Sequence, residues 1–119
     1  WKEYHYEVGK IMTSELINLG LLSQFEVKNQ NPKDPAYKKY FMHGTSHHLG
    51  LDTHDYGLID DPMKENMVFT VEPGIYLPKE GFGIRLEDDV VIKEKGAVKN
   101  LMKDIPIDPN EIEELMSKN

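Results

Sequence analysis

Between Tyr4 and Leu22 the apolar residues Val8, Ile11, Met12, Leu16, Leu19 and Leu22 recur at steps of three and four. That spacing predicts one face of a helix of about five turns, at 3.6 residues per turn. Gly20 supplies its stop, because glycine takes the left-handed conformation that closes many helices. Lys28 to Lys39 is polar, is interrupted by Pro32 and Pro35, and predicts a surface loop. In the stretch from His43 to Gly57, His43, His47 and His54 would share a helical face. Gly44, Thr45, Gly50 and Thr53 disfavour a helix there, so loop with a short strand is expected. Met67 to Glu72 (MVFTVE) predicts a strand that Pro73-Gly74 ends in a turn, followed by extended Ile75 to Leu77 and a turn over Pro78 to Gly83. Gly83 to Lys93 (GIRLEDDVVIK) opens with strand alternation, Ile84 and Leu86 facing one way and Arg85 and Glu87 the other. Gly96 marks a further turn. Asp108-Pro109-Asn110-Glu111 opens a short helix with an N-cap acid, a proline at the first helical position and an apolar stripe of Ile112, Leu115 and Met116. Helix, several strands, helix predicts an α+β fold with a largely antiparallel sheet in a single unit over residues 1–119.

Composition narrows the function classes. The 119 residues carry 14 basic and 21 acidic side chains, a net charge of −7. Nucleic acids and anionic membranes both need a basic face to displace their counterions, so neither is an expected partner. The chain has no cysteine, which excludes disulfides, thiolate metal sites and cysteine nucleophiles. No apolar run approaches the roughly 20 residues that span a bilayer, and no basic segment leads into an apolar core as in a signal peptide. A cytoplasmic domain is the expectation. The chain opens at Trp1 without an initiator methionine and with the helical pattern already running, so it is expected to be a piece of something longer.

The chemistry-bearing residues are concentrated. Four of the five histidines lie within HGTSHHLGLDTHD, interleaved with glycines that let backbone approach a ligand. Neutral imidazole is the commonest protein metal ligand and the side chain best suited to move protons near pH 7. The spacing is not that of the helical H-E-x-x-H zinc motif. Glu72 by itself reads as a strand-end carboxylate, and Glu87 with Arg85 as a solvated ion-pairing face. Taken together, His47, Glu72 and Glu87 can converge from neighbouring strands on hard divalent ions such as Mn²⁺, Co²⁺ or Zn²⁺.

HGTSHHLGLDTHD, TVEPGIY and GIRLEDDVVI occur in one order between Met42 and Ile92. Together they resemble the C-terminal catalytic half of the Xaa-Pro aminopeptidases, the aminopeptidase P family. The resemblance implies a pita-bread fold, two pseudo-symmetric α/β halves around a curved antiparallel sheet, with a pair of divalent ions between them, Mn²⁺ ahead of Co²⁺ or Zn²⁺. It implies His47, Glu72 and Glu87 as metal ligands, Glu87 bridging both ions. It implies that His43 and His54 contact substrate and stabilise the tetrahedral intermediate, that Tyr76 and Arg85 support the substrate site by hydrogen bonding, and that Glu72 carries a proton to the departing proline nitrogen. The implied substrate is a peptide with proline in second place.

The chain departs from the family pattern upstream. The family uses five protein ligands, two of them aspartates preceding the Ser-His pair, and a further upstream histidine shapes its pocket. Here Asp34, in a polar loop, is the sole aspartate before His47. His48 stands where an aromatic residue is common, as an added contact or a competing ligand. Three ligands of five imply a fragment inactive alone. Its exposed sheet edge and apolar face are expected to meet the missing N-terminal half or another copy as a homo-oligomer. Two other readings stand beside this one. A prolidase is the enzymatic alternative, against which Ser46, where prolidases often carry glycine, is the one distinguishing residue. A non-catalytic half-domain that binds a peptide or a partner chain is the other.

Overall fold

The computed structural model describes residues 1–58 and 60–117. Helix α1 (Lys2–Asn18) is followed by the short helix α2 (Gln24–Lys28) and a 3₁₀ turn at Ala36–Lys39. Strands β1 (Val68–Val71), β2 (Gly74–Leu77), β3 (Phe82–Arg85), β4 (Asp88–Ile92) and β5 (Val98–Asn100) come next, and α3 (Pro109–Ser117) closes the described chain. All pairing is antiparallel: β1-β4-β5 form one ladder and β2-β3 a second.

α1 ends where the pattern said it would, with Gly20 at φ +73° just beyond its last turn. Its buried face is narrower than predicted. Met12 and Leu16 are buried, and Leu22 beyond the helix joins them, but Ile11 and Leu19 are 61% exposed. The core is completed by Phe41, Phe69 and Val90. Helix α2 lies just before the predicted polar loop and is started by a capping box: Ser23 Oγ accepts from the Glu26 N–H, and the Glu26 carboxylate accepts from the Ser23 N–H at 2.8 Å.

Two expectations about the strands are corrected. Pro73-Gly74 does not turn the chain. Val68 pairs with Val91 and Val71 with Asp88, then Gly74 pairs with Arg85 and Leu77 with Phe82, so one register runs through both ladders. Gly74 is paired and buried, and the reversal comes at the turn after Leu77, where Gly81 has φ +75°. Nor is Gly83 to Lys93 one strand, because it breaks at Leu86-Glu87 into β3 and β4. Proline supplies the reason. Pro73 stands opposite Leu86 and accepts its N–H at 3.3 Å, but has no N–H to return. The ladder therefore lapses for two residues and resumes in register.

The tail helix is as predicted, Asp108 Oδ1 accepting from the N–H groups of Asn110 and Glu111 at 2.9 and 3.2 Å. Its stripe of Ile112, Leu115 and Met116 stays at least 38% exposed. The apolar edge of the β2–β3 hairpin is open as well. Phe82, Ile84 and Leu86 are more than half exposed and, with Leu19 and Leu21, line an apolar groove of about 580 Å³. Among the described residues no helix is long and apolar enough to cross a membrane.

Candidate metal centre

Strand β1 is flanked on both sides. Along one edge lies β4, and along the other runs the histidine-rich segment, antiparallel to it. Leu49 N–H donates to Val68 O at 3.2 Å, Thr70 N–H to His47 O at 3.1 Å and Glu72 N–H to Thr45 O at 2.7 Å, with a bridge between His48 and Phe69. Side chains alternate along an extended segment, so His47 and His48 go to opposite faces. The His48 ring packs 4.8 Å from Phe69 and 5.6 Å from Trp1, centroid to centroid. His48 thus fills the place of an aromatic residue and takes no part in the ligand group.

On the other face, His47, Glu72 and Glu87 meet. Carried past Val71 and Asp88, the β1–β4 register sets Glu72 directly against Glu87. One donor atom from each of the three residues lies within 4.8 Å of the other two, and these three form the group able to hold a metal ion among the described residues. Asp34 is not in it. The site is graded in exposure, the Glu72 side chain being 13% exposed and that of Glu87 40%. Arg85 spans both carboxylates, Nη1 at 3.4 Å from Glu72 Oε2 and Nη2 at 3.8 Å from Glu87 Oε2.

The donor chemistry suits a divalent cation. His47 Nδ1 donates to His48 O at 2.9 Å, so in the neutral imidazole Nε2 is the nitrogen left to bind a metal. Nε2 faces Glu72 Oε1 at 3.4 Å. A proton on Nε2 makes this contact an ion pair, and a divalent cation between the two atoms would take that proton's place. Donors sharing one ion through bonds of about 2.1 Å stand roughly 3.0–3.4 Å apart, which matches the observed separation.

The remaining predicted residues fall into two pairs. His54 is exposed and its ring stands edge-on to His47, centroids 4.3 Å apart. His43 and Tyr76 hold each other. His43 Nδ1 donates to Gly44 O at 2.7 Å, so Nε2 accepts the Tyr76 hydroxyl proton, also at 2.7 Å. Gly74 makes room for this pair, since a Cβ there would stand 2.8 Å from the tyrosine oxygen. Sequence reasoning passed over two side chains. Tyr4 OH meets Ser46 Oγ at 2.8 Å, tying α1 to the residue before His47. Thr70 is almost wholly buried, with its hydroxyl between His47 and Glu72. Its spacing of two from Glu72 on one strand was the available signal.

The model of metallopeptidase family M24 matches residues 1–94. The chain belongs to metallopeptidase family M24. This M24 chain is 43% identical over 124 residues to the Xaa-Pro aminopeptidase of Escherichia coli strain K12, a match covering 92% of the chain and 27% of that protein. It is 47% identical over 69 residues to the Xaa-Pro dipeptidase of Pyrococcus furiosus, covering 55% of the chain and 20% of that protein. Among solved structures it superposes on Pseudomonas aeruginosa aminopeptidase PepP with a TM-score of 0.79 at 33% identity, covering 99% of this chain and 29% of that one. The chain spans less than a third of the length of these relatives. Its mixed helix and antiparallel sheet is thus a portion of the aminopeptidase P fold, as the three motifs implied, and M24 membership implies divalent-metal chemistry.

Proposed function

We propose that the protein carrying this chain is an Xaa-Pro aminopeptidase, and that His47, Glu72 and Glu87 are three of its metal ligands. The observation that carries this reading is the meeting of one imidazole and two carboxylates within 4.8 Å, with His47 Nε2 turned toward Glu72. Two ions complete the site in the whole protein, Mn²⁺ ahead of Co²⁺ or Zn²⁺, because a carboxylate-rich set with one imidazole favours harder ions. When bound, such ions supply Lewis acidity and an activated water at neutral pH.

The chain's own groups do the rest. Arg85 offsets the charge of the two ligand carboxylates and holds Glu72 by one oxygen. His54, exposed beside His47, contacts the peptide and donates to the developing oxyanion. His43, oriented by Gly44 O and the Tyr76 hydroxyl, shapes the substrate side with Tyr76. Glu72 takes up a proton released by the attacking water and passes it to the departing proline nitrogen. Three ligands do not close the site, so the isolated chain is inactive. Its open groove is covered by the remainder of the catalytic domain, and the complete protein assembles as a homo-oligomer in the cytoplasm. Ser46 before the ligand histidine favours aminopeptidase over prolidase. Hydrolysis of an Xaa-Pro tripeptide and an Xaa-Pro dipeptide by the complete protein tests this: the tripeptide is cleaved with the higher kcat/KM, whereas a marked preference for the dipeptide makes it a prolidase.

A further inference from the structure

Thr70 is 1% exposed, and its hydroxyl links the His47 backbone to the Glu72 carboxylate in a hydrogen-bond chain of fixed direction. Where the histidine-rich segment meets β1, Thr70 N–H donates to His47 O at 3.1 Å. In a regular antiparallel pair the His47 N–H would return a bond to the Thr70 carbonyl. Here it donates instead to Thr70 Oγ1, at 3.1 Å. A backbone N–H can only donate, so that bond takes up a hydroxyl lone pair and leaves the hydroxyl proton for another acceptor. The acceptor is Glu72 Oε1 at 3.3 Å, two residues along on the same face of β1. Thr70 thus grips His47 at both its backbone N–H and its C=O, and holds the Glu72 oxygen that faces His47 Nε2 at 3.4 Å.

We propose that Thr70 is a positioning residue that couples His47 to Glu72 and fixes the spacing of their donor atoms for a divalent ion. The role rests on the ligand assignment made above. It has a clear physical content: without the hydroxyl, the His47 N–H loses its partner in a largely buried position, and the Glu72 carboxylate loses a donor that orients it. The direction of the chain makes Glu72 Oε1 an acceptor, the same atom that faces His47 Nε2.

The test is Mn²⁺ titration of the metal-free complete protein by calorimetry, with thermal unfolding of the same samples. Thr70→Val removes the hydroxyl at nearly constant shape, Thr70→Ser keeps it, and Glu87→Gln is the control for the ligand assignment. Thr70→Ala is measured beside the valine variant so that the result does not hang on one protein folding. The expected result is a Mn²⁺ dissociation constant raised about 10- to 100-fold in T70V and T70A, the range for lost outer-shell partners, with T70S near wild type. A lowered unfolding midpoint with wild-type Mn²⁺ affinity in T70V and T70A overturns the proposal, since that is what a purely structural threonine would give. Wild-type affinity in E87Q overturns the ligand assignment itself, and the proposal with it.

Discussion

Glu72 and Glu87 stand directly opposite each other across an antiparallel ribbon whose register is the same on both sides of Pro73. Two carboxylates in facing positions destabilise a sheet when nothing lies between them. Here Arg85 reaches both, and the His47 imidazole closes the third side. The proline explains why the pair is free to serve a ligand. By interrupting the ladder it releases the chain at Leu86-Glu87 from regular pairing while the strands on either side keep the two acids aligned.

The clearance at Gly74 is the first place to test the arrangement. A methyl group there would meet the Tyr76 oxygen at 2.8 Å and drive the ring away from His43. Gly74→Ala is expected to destabilise the protein by about 1–3 kcal/mol, the usual cost of overpacking. It should also shift the His43 ring resonances by NMR, as Nε2 loses its donor. Unchanged His43 resonances would show that the pair does not depend on this gap.

Much of this was readable in advance. The meeting of His47, Glu72 and Glu87 follows from neighbouring strands and the three motifs, while the α1 stop at Gly20 and the Asp108 cap follow from local chemistry, which is what a sequence displays. The capping box at Ser23 and Glu26 was equally local but went unread, because the five-residue helix it starts has no apolar period. Pro73-Gly74 misled for a different reason. The pair is a turn signal in isolation, and only the pairing of Gly74 with Arg85 makes it extended. The alternation of Ile84 and Leu86 marks an apolar face but not what covers it, and both stay more than half exposed. Burial depends on what packs against a face, and that information is not in the face itself.

Acid should weaken the fold through His5. Burial holds this imidazole below its ordinary 6.5. The folded state then binds its proton less readily than the unfolded chain does. Stability is therefore unaffected by His5 above about pH 6.5 and falls as pH drops from there through the lowered folded value. Urea midpoints at pH 8 and pH 5 should differ less in His5→Gln than in wild type, and an equal difference in both would remove His5 from the account.

The open groove predicts behaviour of the chain on its own. Phe82, Ile84 and Leu86 line it at more than half exposure, and such contiguous apolar surface drives association. Light scattering of the isolated 119-residue chain should report species heavier than its 13.8 kDa, and Ile84→Glu should lower the average mass. A monodisperse monomer at high concentration would contradict this.

The claim that His47, Glu72 and Glu87 are metal ligands is tested most directly by counting Mn²⁺ ions on the complete protein. Equilibrium dialysis with elemental analysis, run on wild type and on Glu72→Gln, gives the count. Two ions per chain are predicted for wild type, with the affinity of at least one reduced by about 100-fold or more in the variant, since a ligand should cost no less than an outer-shell partner. Equal stoichiometry and affinity in both proteins would contradict the account.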